Sequence, residues 1–366
     1  MINIDGINYE INRDNAKVTN FDKDYCNLLK DILKNGEYVE NRTGINTFSI
    51  PNVVLNFDLK KEFPILESKK INIQNAITEL LWIYQAQSND VNWLKERENN
   101  IWNEWQIDEE GYWNATQNVP DGKGGFKKEE VKKYFGKEYA GTIGTAYGWI
   151  VNRYKKPQEI LYKLKNNPTD RRMVMSLWQD EYIKTAVLPS CVWSSEFKVY
   201  KGTLNMFVHQ RSADVPLGLP FNVSQYAVLL SLFAKVSNLD LGKMSFSISD
   251  AHIYENQLEG INLQLYRFDI MKELEKIIKK CSDIELQQFY DNISINLKYD
   301  MYKKESIQKK LQETKMLFEL MVTKEKPYLY LANKDDFFAF DNKKDNDDIK
   351  VLNYKSAPFI KMPVAK

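Results

Sequence analysis

Between Leu188 and Tyr254 the chain gathers a thiol, a guanidinium, a carboxylate, a carboxamide, an imidazole and a phenol: Cys191, Arg211, Asp214, Asn222, His252 and Tyr254. Together they can attack, anchor, orient and exchange protons, and such groups cluster among uncharged residues where a small polar ligand is handled. A thiol attacks as its thiolate, so Cys191 needs a cation, and Arg211 is the candidate. The plain alternative is a cysteine filling a small apolar space. Asn222 donates and accepts at once, which suits a pyrimidine edge carrying a carbonyl beside an N–H; it could also cap a turn after Pro220. His252 and Tyr254 alternate along a predicted strand and face one way, enough for two hydrogen bonds to a sugar hydroxyl.

Two further sets of charges stand out. Glu79 is the only charged residue between Lys70 and Asp90. A carboxylate taken out of water there is either a tuned general acid/base or a structural acceptor for a buried donor. The tandem Arg171-Arg172 could grip a phosphate bidentately or could line a solvated face. With His209 and His252 the only histidines, zinc chemistry is not expected and no metal is assigned.

The elements that must hold these groups are legible in outline. Residues 53–57 alternate as a strand, and 72–85 carry helical spacing through Ile73, Ile77, Leu80, Leu81 and Tyr84. Strand patterns recur at 173–178, 195–200 and 203–208, the last two joined by Lys201-Gly202 as a tight hairpin. Residues 224–236 read as a buried helix. The mixture predicts an α/β (α+β) body around a large mixed β-sheet flanked by helices. Residues 106–140 are polar with charge runs, and 270–324 are charged with helical periodicity. Both are taken as insertions on one domain spanning residues 1–366.

Bulk properties exclude several classes. With 366 residues, 43% hydrophobic and 13% aromatic, the chain can bury a full core. Fifty-one basic and fifty acidic residues leave a net charge of +1, so neither DNA nor a membrane is expected as partner, and a bound phosphate must be met by local arginines. Three widely spaced cysteines, Cys26, Cys191 and Cys281, are too few for a disulfide framework and point to a reducing, cytoplasmic setting. The polar N-terminus has no apolar leader pattern. The longest uncharged apolar span, 215–234, is broken near its start by Pro216, Gly218, Pro220 and Asn222, which suits a buried turn and helix.

Taken in order, Asn41-Arg42-Thr43-Gly44, Thr78-Glu79-Leu80-Leu81-Trp82, Ile101-Trp102-Asn103-Glu104-Trp105, Ala146-Tyr147-Gly148, Asp170-Arg171-Arg172, Cys191, Gln210-Arg211-Ser212, Asp214, Leu217 to Asn222, His252 and Tyr254 resemble the thymidylate synthase family, and the tail Tyr354 to Lys366, with Ile360 to Ala365, resembles its closing C-terminal segment. The resemblance implies a thymidylate synthase, a methyltransferase that converts dUMP to dTMP with 5,10-methylenetetrahydrofolate as cosubstrate, and a homodimer with shared sites. It implies that Arg42, Arg211 and Ser212 hold the dUMP phosphate, with Arg171 and Arg172 reaching in from the partner subunit. Cys191 would add to C6 of the uracil, Asn222 would orient the base, and His252 and Tyr254 would bind the ribose. Glu79 with Tyr147 would manage proton transfers and Asp214 would bind the folate pterin. Ile101, Trp102, Leu188, Leu217, Gly218, Phe221 and Ala365 would line the folate site.

The chain departs from the family pattern at Thr78, Ser190 and Val192, where His, Pro and His are usual, and at Ile248-Ser249, usually Gly-Gly. Fewer imidazoles near Glu79 and Cys191 alter the polar network that chooses hydride or water as final acceptor. A deoxyuridylate hydroxymethylase therefore stays open as the alternative. A deoxycytidylate hydroxymethylase fits less well, because Asn222 suits uracil. A reading from another class is a non-catalytic nucleotide- or RNA-binding protein on this fold.

Overall fold

The computed structural model describes residues 1–41, 43–120, 126–299, 305–343 and 347–364. Its centre is a seven-stranded mixed sheet. In chain order its strands are β1 (Glu37–Val39), β2 (Thr47–Asp58), β3 (Val174–Ser176), β4 (Val192–Tyr200), β5 (Thr203–Gln210), β6 (Ala213–Asp214) and β7 (Asp240–Tyr254). Their order across the sheet is β1-β2-β7-β5-β4-β3, with the short β6 pairing in parallel beside the end of β7. The remaining neighbours are antiparallel except β7 and β5.

Alternation gives the sheet two different faces. Met244, Phe246 and Ile248 of β7, with Leu204, Met206 and Val208 of β5, are buried on one face. They pack beneath α4 (Leu219–Val236), which is apolar on nearly every side and lies inside the core. By length and composition α4 could cross a membrane, yet most of it is buried in the body of the protein. On the opposite face Val54, Val174, Trp193 and Phe207 stay partly exposed.

The predicted hairpin is present: Lys201 and Gly202 both have positive φ, 49° and 76°, the geometry a two-residue turn requires. The helix read over 72–85 is α2 (Ile73–Leu80) followed by a π-helical turn, Leu81–Gln85. Asn72 caps it by accepting from the Asn75 N–H at 3.3 Å. Two other helices bear on the site: α1 (Asn20–Asn35) and α3 (Gly148–Tyr154).

Residues 106–140 contain an antiparallel hairpin, Tyr112–Pro120 with Phe126–Tyr134. The charged region contains α5 (Leu258–Lys280), α6 (Asp283–Tyr299) and α7 (Glu305–Thr323). The boundary placed at residue 270 falls inside α5, which runs unbroken from the body because Ile261, Phe268, Met271, Leu274 and Ile278 continue one buried stripe. Arg42, Ala365 and Lys366 lie outside the described residues.

Candidate active site

The β4–β5 hairpin fixes the register that assembles the centre. Val192 pairs with Gln210, so the Arg211 N–H donates to the Cys191 carbonyl at 2.9 Å. The Arg211 guanidinium folds back along the same turn, donating to the Pro189 and Ser190 carbonyls at 2.9 and 3.2 Å. This seats one of its nitrogens 3.6 Å from the Cys191 Sγ. A fixed positive charge thus stands beside the sulfur.

Tyr147 reaches the same turn from the other side. Its backbone takes φ of 47°, an unusual value for a large side chain. The next residue must be Gly148, since a Cβ there would sit 1.8 Å from the Ser88 carbonyl oxygen. The bend aims the phenol at Cys191, whose N–H donates to the Tyr147 Oη at 3.0 Å. Burial, followed by the nearby thiol, pushes this phenol well above its ordinary range, so it stays a neutral donor and acceptor at physiological pH.

Glu79 is half-buried at the end of α2. Trp102 Nε1 donates to its Oε1 at 2.6 Å and Gln225 Nε2 to its Oε2 at 2.8 Å. Desolvation raises its pKa, and these two bonds only partly offset it. The Trp102 and Tyr147 rings meet at 5.3 Å, closing a path of contacts from Glu79 to Cys191. The sequence reading does not name Gln225, although a second amide three residues after Asn222 in a mostly apolar helix is a detectable signal.

The third strand of the site, β7, supplies the polar row. Its register places His252 opposite Ser49 of β2 and beside Asp214 of β6. His252 Nδ1 is engaged by Asp250 at 3.1 Å and by the Ser212 hydroxyl at 3.3 Å, which orients the ring and turns Nε2 to the other side. The His252 and Tyr254 rings lie edge to face at 5.1 Å. Asp250, whose alternation with His252 and Tyr254 could have marked it in the sequence, gathers Ser49, Ser212 and His252. Against the desolvation of half-burial, those bonds hold its carboxyl down to about 2. The stability it contributes is complete above the ordinary value near 3.8 and is lost as pH falls from there to about 2. Asp250→Asn should leave the fold intact at neutral pH but raise KM for a substrate held at His252 by about tenfold, because the ring it orients loses a charged partner. Steady-state kinetics against wild type check this.

Asn222 stands in the first turn of α4, its N–H on the Gly218 carbonyl and its Oδ1 accepting from Gln210 Nε2 at 3.3 Å. Asp214 is half-buried against the body, held by the Leu217 N–H at 3.1 Å and by Gln257. Its carboxyl is raised by desolvation, opposed first by the Gln257 bond. Trp102 is buried, Leu188, Leu217 and Phe221 are half-buried against the core, and Ile101 is 39% exposed.

The structure therefore brings Cys191, Arg211, Tyr147, Glu79, Asn222, Ser212, Asp214, His252 and Tyr254 around one region. Arg171 and Arg172 stand apart: both are exposed, and Arg172 bonds Asp170 at 3.1 Å. The departures are accounted for locally. Val192 is buried in the sheet, and Thr78 returns its hydroxyl to the Gln74 carbonyl at 2.9 Å. Ser190 Oγ is buried without a hydrogen-bond partner among the described residues.

Comparison with known proteins gives the same picture from another direction. The family model described as thymidylate synthase matches residues 23–310. The thymidylate synthase of Clostridium beijerinckii is 38% identical over 283 residues, covering 77% of this chain and 95% of its own. That of Mycoplasma pneumoniae is 33% identical, covering 74% and 94%. Among solved structures, the thermostable thymidylate synthase A from Bacillus subtilis superposes with a TM-score of 0.66 at 27% identity, covering 94% of this chain and 99% of its own.

Proposed function

Because this chain belongs to the thymidylate synthase family, we propose that its reaction is methylation of dUMP at C5, giving dTMP and dihydrofolate. The observation that carries the reading is the Cys191 thiol held 3.6 Å from Arg211 with Tyr147 bonded to the Cys191 N–H. The Cys191 sulfur bonds C6 of the uracil and the C5–C6 electron pair moves to C5, making a nucleophilic carbon. Asn222 orients the ring and steadies the charge that develops on it. Glu79, at the far end of the Trp102–Tyr147 contact, takes part in proton transfer, a role suited by its raised pKa. When C5 has gained its carbon and lost its proton, the sulfur leaves C6 and the double bond is restored.

The residues present fit a folate. Asp214 offers a half-buried carboxylate to a polar heterocycle, and Trp102, Leu217 and Phe221 offer an apolar surface for stacking. Methylenetetrahydrofolate supplies the one-carbon unit and the hydride that reduces it. Trp102, Leu188 and Phe221 exclude water from that step. The relatives and the solved structure are thymidylate synthases, so the hydroxymethylase reading is not favoured. The three cysteines are unpaired, which supports a cytoplasmic setting.

The reading includes one domain with two insertions and a homodimer joined through the outer face of the sheet. That face leaves Val54, Val174, Trp193 and Phe207 partly exposed together, an apolar patch of the kind that pairs with a second copy. Arg171 and Arg172 would then serve the partner's nucleotide. Mixing Cys191→Ala with an Arg171→Ala/Arg172→Ala variant, each inactive alone, should restore about a quarter of parental activity by subunit exchange. Persistent inactivity of the mixture counts against shared sites.

The reaction itself is tested by incubating the protein with dUMP and methylenetetrahydrofolate, weighing the nucleotide by mass spectrometry and following dihydrofolate absorbance. dTMP formed one to one with dihydrofolate supports the proposal; 5-hydroxymethyl-dUMP without dihydrofolate contradicts it.

A further inference from the structure

The tail after residue 352 is seated along the body at several points. Tyr354 donates to the Leu66 carbonyl at 2.8 Å and accepts from the Ile71 N–H at 3.0 Å. The Ala357 N–H bonds the Glu67 carbonyl at 2.8 Å. At the base of the last stretch, buried Arg267 of α5 donates to the Pro358 carbonyl at 2.8 Å. Arg267 is itself gripped by Glu313 of α7 through two bonds of 2.8 and 3.0 Å. Beyond it Ile360 and Met362 pack onto Gly260, where a Cβ would meet the Met362 sulfur at 2.6 Å.

The far end of the tail meets a single side chain. Gln257, fully buried, donates through Nε2 to the Pro363 carbonyl at 3.1 Å. The same nitrogen faces both Asp214 oxygens at 3.1 and 3.0 Å, while Oε1 accepts from the Tyr254 N–H at 3.1 Å. An amide has two N–H hydrogens, so one serves the tail and the other the carboxylate. Sugar strand, folate-side carboxylate and tail thus meet at one carboxamide.

We propose that Gln257 is a positioning residue that couples the seating of the C-terminal tail to the orientation of Asp214, with the charged helix α7 clamping the base of the tail through Glu313 and Arg267. This rests on the reading of Asp214 as the folate-binding carboxylate. The groups facing Asp214 are Gln257, His252 on β7, Lys69 ahead of α2, and Tyr25 on α1. Lys69, its ammonium lowered to about 8 by burial, donates to the Pro216 carbonyl. Burial raises the Asp214 carboxyl and the Gln257 bond opposes that rise, so losing the bond moves the carboxyl further up.

The test uses the full chain with Gln257→Met, which keeps length and burial and removes both donor and acceptor. KM for methylenetetrahydrofolate should rise about tenfold while dUMP binding without folate changes far less, because the pairing with Thr47 still holds Tyr254 in β7. The acid limb of kcat/KM for the folate should move up by about one pH unit, and further in Gln257→Glu, where two carboxylates face each other. Equal losses toward both substrates, with an unmoved pH profile, would overturn the coupling. Should Gln257→Met not fold, Glu313→Gln at the partly exposed end of the clamp should raise the folate KM about threefold with dUMP binding intact, and an unchanged folate KM there overturns the proposal. Asp214→Ala separates the two levels. If it leaves the folate KM unchanged, the folate reading falls and the proposal with it; if it raises KM while Gln257→Met does not, the coupling alone falls.

Discussion

Cys191→Ala should lower kcat by on the order of 10⁴-fold or more while leaving dUMP binding measurable. The asymmetry follows from where the nucleotide contacts lie. Arg211 is held by the Pro189 and Ser190 carbonyls, which do not depend on the thiol. Asn222 is held by α4 and Gln210, and His252 by Asp250 and Ser212. Removing the sulfur therefore deletes the bond-forming atom and leaves the cradle standing. Alanine also spares the Cys191 N–H, so the Tyr147 contact survives. Calorimetry for binding and product formation for turnover separate the two effects. Residual turnover within about tenfold of wild type would mean that the chemistry does not run through this thiol.

Glu79→Gln should lower kcat by about 10²- to 10⁴-fold with smaller changes in either KM, since the carboxylate acts on protons and the wall formed by Trp102 remains. The same variant carries a stability signature. Burial raises the Glu79 carboxyl above its ordinary 4.5. A carboxyl with a raised folded pKa imposes no charge cost at low pH, and the cost grows as pH rises from the unfolded value through the folded one. Glutamine does not titrate, so the stability of the variant relative to wild type should increase as pH rises above 4.5. Denaturant melts across that range measure it, and a difference that stays flat or falls would show that the carboxyl is not desolvated as described.

What the sequence disclosed depended on the kind of signal. Cys191, Arg211 and Asn222 were legible because uncommon chemistry sat in uncharged sequence, and the Lys201-Gly202 turn fixed the register that joins the first two. The end of α2 was harder, since an apolar run at helical spacing looks the same whether it continues as α-helix or opens into a π turn. The hairpin of Tyr112–Pro120 with Phe126–Tyr134 left almost no trace, because its first strand mixes uncharged polar residues with few apolar ones and its second carries charges at successive positions, so neither shows the alternation that marks a strand. Asp250 could have been found from its spacing to His252. Gln257 could not, because its three partners come from β6, the end of β7 and the distant tail, and only folding brings them to one amide.

The most direct test of the account is turnover of dUMP deuterated at C5 with methylenetetrahydrofolate. Attack by Cys191 at C6 activates C5, so C5 must surrender its own hydrogen when it takes the new carbon. The account predicts dTMP free of the ring deuterium, one deuterium released to water per nucleotide and one dihydrofolate per dTMP. Deuterium retained on the ring, or a product heavier by an oxygen, would contradict it.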